Sequence, residues 1–123
     1  MCEIDNRTLV TYESDPDFYE WARYYHRGKH EVIKVDDWKS VDLSRCNWSV
    51  AFVDHAPDSD RWNELMRLTH AEYVVVHDTD IGWRHKYTYE NAYPLYKHQN
   101  QYRELHPNTG ILSNTHDVSN FFA

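Results

Sequence analysis

The sequence predicts a single α/β domain over residues 1–123, with a mostly parallel sheet, flanking helices and a C-terminal antiparallel hairpin. Two observations lead there first. Short β-branched and aromatic runs alternate with stretches whose apolar residues recur every three or four positions, the signature of strand-helix-strand units. Two of the runs, Trp48 to Val53 and Ala71 to Val76, are nearly continuous in apolar residues, as strands covered on both faces are. A third observation concerns the end of the chain. There Gln101 to Leu105 and Gly110 to Ser113 flank His106-Pro107-Asn108-Thr109, a connection suited to a hairpin.

Taken in order, Thr8 to Tyr12 form the first strand, and Glu13-Ser14-Asp15-Pro16 provide a cap followed by proline in the first helical turn. From Pro16 to His26, Phe18, Trp21, Ala22 and Tyr25 share one face, predicting a helix that lies on a sheet and stops near Gly28. His30 to Val35 form the second strand, ending at Asp36-Asp37. A polar connection through Cys46 leads into the strand 48–53, which stops at Asp54-His55-Ala56-Pro57. Asp58 or Ser59 caps the next helix, whose stripe is Trp62, Leu65, Met66 and Leu68. The strand 71–76 then ends at His77-Asp78-Thr79-Asp80. Residues 87–96 read as helical or irregular around Pro94.

Composition bounds the function. The 123 residues are 41% hydrophobic and 27% charged, with ten Tyr and five Trp, enough bulky material for a packed core. A formal net charge of −7 argues against a nucleic-acid partner, which would call for clustered Lys and Arg. Cys2 and Cys46 form no C-x-x-C pair, so neither a disulfide framework nor a zinc ribbon is indicated. The polar N-terminus does not read as a signal peptide, and no apolar run approaches the ~20 residues that span a bilayer, so a cytoplasmic protein without membrane contact is expected.

Four successive strands finish on polar clusters: Glu13-Ser14, Asp36-Asp37, Asp54-His55 and His77-Asp78-Thr79. In a parallel sheet these ends share one edge, which is where ligands bind. Acids after strands also cap helices, and that accounts for Asp15 and Asp58 better than for Asp54 and Asp78. The nine histidines show no H-x-x-x-H or H-E-x-x-H spacing. His77-Asp78 ends an apolar strand, whereas the His-Asp pair of metal phosphohydrolases sits on a helix. Trp83, Tyr87, Tyr89, Tyr93 and Tyr96 suit packing over a sheet edge better than an acceptor pocket or partner surface. Asn47-Trp48-Ser49 fits a glycosylation sequon but opens a strand expected to be buried.

Residues 9–18 (Leu-Val-Thr-Tyr-Glu-Ser-Asp-Pro-Asp-Phe), 50–57 (Val-Ala-Phe-Val-Asp-His-Ala-Pro) and 73–80 (Tyr-Val-Val-Val-His-Asp-Thr-Asp) resemble, in that order, the second, fourth and fifth strand regions of class I S-adenosylmethionine-dependent methyltransferases. The metal-dependent branch typified by catechol O-methyltransferase is the comparison. The resemblance covers roughly residues 8–80 and implies a Rossmann-like fold and O-methyl transfer to a small-molecule acceptor. It matches Glu13, with Ser14, to the acid that binds the cofactor ribose, and Asp36 and Asp37 to residues near the adenine. Asp54 is matched both to the cofactor side and to a Mg²⁺ ligand, with Asp78 and Thr79 completing the metal set. Pro57 stands near the place of the family's base lysine, which leaves His55 as the candidate catalytic base.

The family's first strand and glycine-rich turn should precede the strand that ends at Glu13, yet only about seven residues stand there. The glycines are Gly28, Gly82 and Gly110. The expected fold is therefore N-terminally incomplete, with about half of the cofactor cleft missing. The missing strand lies between the second and fourth in the family's sheet, so the alternative expectation is a non-catalytic scaffold that binds a partner or forms a homodimer through exposed sheet edges.

Overall fold

A computed structural model describes residues 7–122. The readings made on Cys2, on the polar N-terminus and on the Trp83 side chain lie outside the described residues. The chain forms two compact units, residues 1–41 and 42–123.

In the first unit, β1 (Leu9–Glu13) and β2 (His30–Lys34) pair in parallel from Leu9↔His30 to Glu13↔Lys34, joined by α1 (Pro16–Tyr25). Asp15 caps α1: its side chain accepts the N–H groups of Asp17 and Phe18, and Pro16 opens the helix. Gly28 has a positive φ of 56°, the left-handed conformation that ends the segment. The helix meets β1 and β2, as expected, but its apolar face is not covered: it buries none of its residues, and Phe18, Trp21, Tyr24 and Tyr25 are all more than half exposed. A three-four spacing reports that apolar side chains share a face and carries no information about what covers it.

The second unit holds a four-stranded sheet in the order β3-β4-β6-β5, built from β3 (Val50–Val53), β4 (Tyr73–His77), β5 (His98–Tyr102) and β6 (Thr109–Ser113). β3 and β4 are parallel; β6 runs antiparallel to both β4 and β5. The molecule is thus α/β with the expected C-terminal hairpin, but its strands form two sheets rather than one, and in the larger sheet only one of the pairings is parallel.

The core of this unit is Leu65, Leu68, Ala71, Val74, Val76, Tyr89, Tyr96, Ile111, Leu112 and Val118, each at most 4% exposed. Each such Val or Leu contributes about 1.5–3 kcal/mol relative to an exposed position. Burial of the tyrosines at 87, 89, 93 and 96 agrees with the packing reading of that stretch, which runs through two short 3₁₀ turns. Tyr96 donates its hydroxyl proton to the Leu65 carbonyl.

Two further expectations change. β3 ends its sheet, and Val50 and Phe52 are 57% and 62% exposed, so this strand is not covered on both faces. Neither Asp58 nor Ser59 caps a helix: 58–60 form a 3₁₀ turn, and α2 (Arg61–Arg67) follows Asp60 without a side-chain cap. Its buried face is Arg61, Glu64 and Leu65, with Met66 turned outward. A further short helix, α3 (Ile81–Lys86), follows Asp80. No described helix is long and apolar enough to cross a membrane.

Candidate functional site

Parallel pairing brings the carboxyl ends of neighbouring strands together. In the first unit, Glu13 lies opposite Lys34, and the Val35 N–H donates to the Glu13 carbonyl, so Glu13-Ser14 and Asp36-Asp37 leave the sheet at the same edge. Asp36 and Asp37 are exposed, while Glu13 and Ser14 are half-buried. Two of the acids also serve the local chain. Glu13 Oε1 accepts the Asp15 N–H at 2.8 Å, and Asp37 Oδ1 accepts the Lys39 N–H at 3.0 Å at the start of a 3₁₀ turn.

In the second unit, Val53 lies opposite Val76, so Asp54 leaves β3 beside His77 and Asp78. Asp78 has φ 58°, a left-handed turn that Asp tolerates better than most residues, and it ends the strand there. One donor atom from each of Asp54, His77 and Asp78 lies within 4.8 Å of the others. His77 Nδ1 is 3.3 Å from Asp54 Oδ1 and 3.1 Å from Asp78 Oδ1.

Arg61, the first residue of α2, completes this cluster. Its Nη1 is 2.9 Å from Asp78 Oδ2 and its Nη2 3.1 Å from Asp54 Oδ1, while Nε donates to the His55 carbonyl at 2.8 Å. The guanidinium also lies over the Tyr87 ring, 5.0 Å from its centroid, and Nη1 reaches the Tyr89 hydroxyl at 3.4 Å. Tyr89 donates in turn to the His77 carbonyl at 3.0 Å. The Arg61 side chain is only 8% exposed. Burial works against its charge, but the hydrogen bonds to Tyr89 and Asp78 and the charge of Asp54 outweigh this and raise its pKa. Burial likewise pushes the Tyr89 phenol up to about 12, against the pull of Arg61, so it remains a proton donor at neutral pH.

The other two candidates of this unit stand apart from the cluster. His55 points its Nε2 to within 3.0 Å of Glu64 Oε2, in a pair with side chains 10% and 4% exposed, and its backbone carbonyl accepts from Arg61 Nε. Thr79 is fully buried; its carbonyl and hydroxyl oxygens accept from Gln101 Nε2 at 2.7 and 3.0 Å.

Arg61 is the site residue that the motifs leave out, while His77 is named at a strand end without being assigned a role in the site. Arg61 did carry a signal: a cation in the first turn of a helix is disfavoured by the helix dipole, so its presence there implies acidic partners. The acids that answer it lie 7 residues before it and 17 after it, beyond any local pattern. Comparison of the chain with protein-family models, with curated proteins and with solved structures finds no match.

Proposed function

We propose that this chain is a methyltransferase-like protein that binds S-adenosylmethionine. In this reading the cofactor's ribose and adenine are held at the carboxyl edge of β1 and β2. The observation that carries it is the pair of parallel registers, each of which brings strand-end acids to one edge.

The residues present suit the hydroxyl-rich end of the cofactor. Glu13, Asp36 and Asp37 supply carboxylate acceptors for ribose hydroxyls and an adenine amine, and half-buried Glu13 is the one best placed to bind in a partly dry setting. When bound, the cofactor supplies an electrophilic methyl group on a sulfonium. His55, the nearest candidate base by residue type, lies against Glu64 rather than open to solvent, so this chain's contribution is assigned to binding and orientation instead of proton transfer.

Calorimetric titration with S-adenosylmethionine tests the reading. Binding that is weakened roughly tenfold or more by Glu13→Ala, equivalent to losing one charge-assisted hydrogen bond, is the expected result. Absence of any binding up to about millimolar cofactor, the weak limit of a specific small-molecule site, contradicts it.

A second reading, a non-catalytic scaffold that binds a partner, is favoured by a different observation. Val50 and Phe52 on the end strand β3, and Phe18, Trp21, Tyr24 and Tyr25 on α1, are exposed apolar groups of the kind found at interfaces. A concentration-dependent dimer in light scattering, together with a null cofactor titration, supports that reading over the first.

A further inference from the structure

We infer that the acid pair at the ends of β3 and β4 is occupied by the Arg61 guanidinium and holds no divalent cation, so that whatever binds at this edge does so without a metal. The resemblance implies Mg²⁺ on Asp54, Asp78 and Thr79, and the donor set departs from that on three counts. The carboxylate oxygens are engaged: Arg61 takes Asp78 Oδ2 and Asp54 Oδ1, and His77 Nδ1 stands against Asp78 Oδ1 and again against Asp54 Oδ1. Only Asp54 Oδ2 lies outside these pairs. Thr79, which should offer a third oxygen, is buried with its hydroxyl accepting from Gln101. The third group that does converge is the His77 imidazole, a nitrogen, whereas Mg²⁺ selects oxygen in near-ideal octahedral geometry.

Charge points the same way. Two carboxylates are what draw a dication, and a guanidinium between them offsets half of that charge while repelling any cation that approaches. Nor is Arg61 free to swing aside. It is 8% exposed, bonded through Nε to the His55 carbonyl, stacked on Tyr87 and bonded to Tyr89, so admitting an ion would break a hydrogen-bonded buried network as well as two ion pairs. Arginine suits such a post because it does not lose its proton and its planar fork spans two carboxylates at once. The inference rests on these contacts alone and stands whether or not the cofactor binds.

Manganese is the probe, since it substitutes for Mg²⁺ and its binding is read from the relaxation of water protons without any assay of activity. The wild-type chain is expected to show no Asp54-dependent Mn²⁺ binding up to about 10 mM, and Mg²⁺ at that concentration is expected to leave its melting temperature unchanged. Arg61→Met keeps the bulk, removes the charge and frees both carboxylates. It is expected to gain Mn²⁺ affinity by roughly tenfold or more, and the gain should vanish in Arg61→Met combined with Asp78→Asn. Submillimolar Mn²⁺ binding by the wild-type chain that disappears in Asp54→Asn overturns the inference, and this needs no Arg61 variant to fold. An Arg61→Met chain with native circular dichroism and no gain also overturns it, because the guanidinium would then not be what excludes the ion.

Discussion

Arg61 shows what one buried charge can organise. It joins α2 to the ends of β3 and β4 and to Tyr87 and Tyr89, so four stretches of chain meet at one guanidinium. The acids it pairs with were legible as strand-end residues, because strand type and strand end are local properties of the sequence. The Arg itself was not, because its partners are set by which strands become neighbours. Thr79 and His55 show the same limit: their backbone positions were legible, but the burial that turns them toward Gln101 and Glu64 comes from packing.

His30 gives a residue whose state can be followed by pH. Burial, with the charge of His26 adding to it, lowers the pKa of its imidazole below 6.5, and its Nε2 lies 2.8 Å from Thr11 Oγ1. Because the folded-state value is the lower one, the unfolded chain takes up the proton first as pH falls. The contribution to stability is therefore full above pH 6.5 and declines from there to the lower folded-state value. Denaturant midpoints across that window are expected to fall with acidification in the wild type and to fall less in His30→Gln. An equal slope in both would remove His30 from the account. Asp80, lowered by the backbone N–H of Asn108 and by His106, adds a separate loss at more acid pH, below 3.8.

The β3 strand illustrates the limits of reading an element from its own residues. Val50-Ala51-Phe52-Val53 is apolar throughout, which predicts two covered faces, yet only Val53 is buried. Continuous apolarity states that both faces suit packing, and the sheet order decides whether both receive it. In contrast the hairpin was legible in kind, since a proline- and asparagine-containing connection is local chemistry, but its first strand is His98–Tyr102 rather than 101–105, and β5 and β6 pair from His98↔Ser113 to Tyr102↔Thr109. If β3 is an end strand with an open face, Phe52→Lys should change unfolding free energy by no more than about 0.5 kcal/mol, the usual range for exposed positions, while reducing self-association. A loss of about 3 kcal/mol or more, the cost of emptying a core site, would mean that Phe52 is covered in the folded protein.

Across the molecule, burial is uneven. Within the described residues of the first unit Val35 alone is buried, whereas the second unit holds the whole cluster from Leu43 to Val118. Amide hydrogen exchange should accordingly be slowest at Val74, Val76, Ile111 and Leu112 and fastest in β1, α1 and β2. Slow exchange throughout β1 and β2 would contradict this distribution. The strand-helix alternation gave the α/β class correctly because it depends on periodicity. The division of the strands between two sheets was beyond it, since that depends on which strand edges find partners.

The central claim is that the carboxyl edge of β1 and β2 recognises S-adenosylmethionine. The most direct test is a titration of the isotopically labelled chain with the cofactor, followed through backbone amide resonances. The account predicts saturable shifts concentrated at residues 13–15 and 35–37, unaltered by Mg²⁺ and absent in Glu13→Ala. Shifts confined to other segments, or none at saturating cofactor, would contradict it.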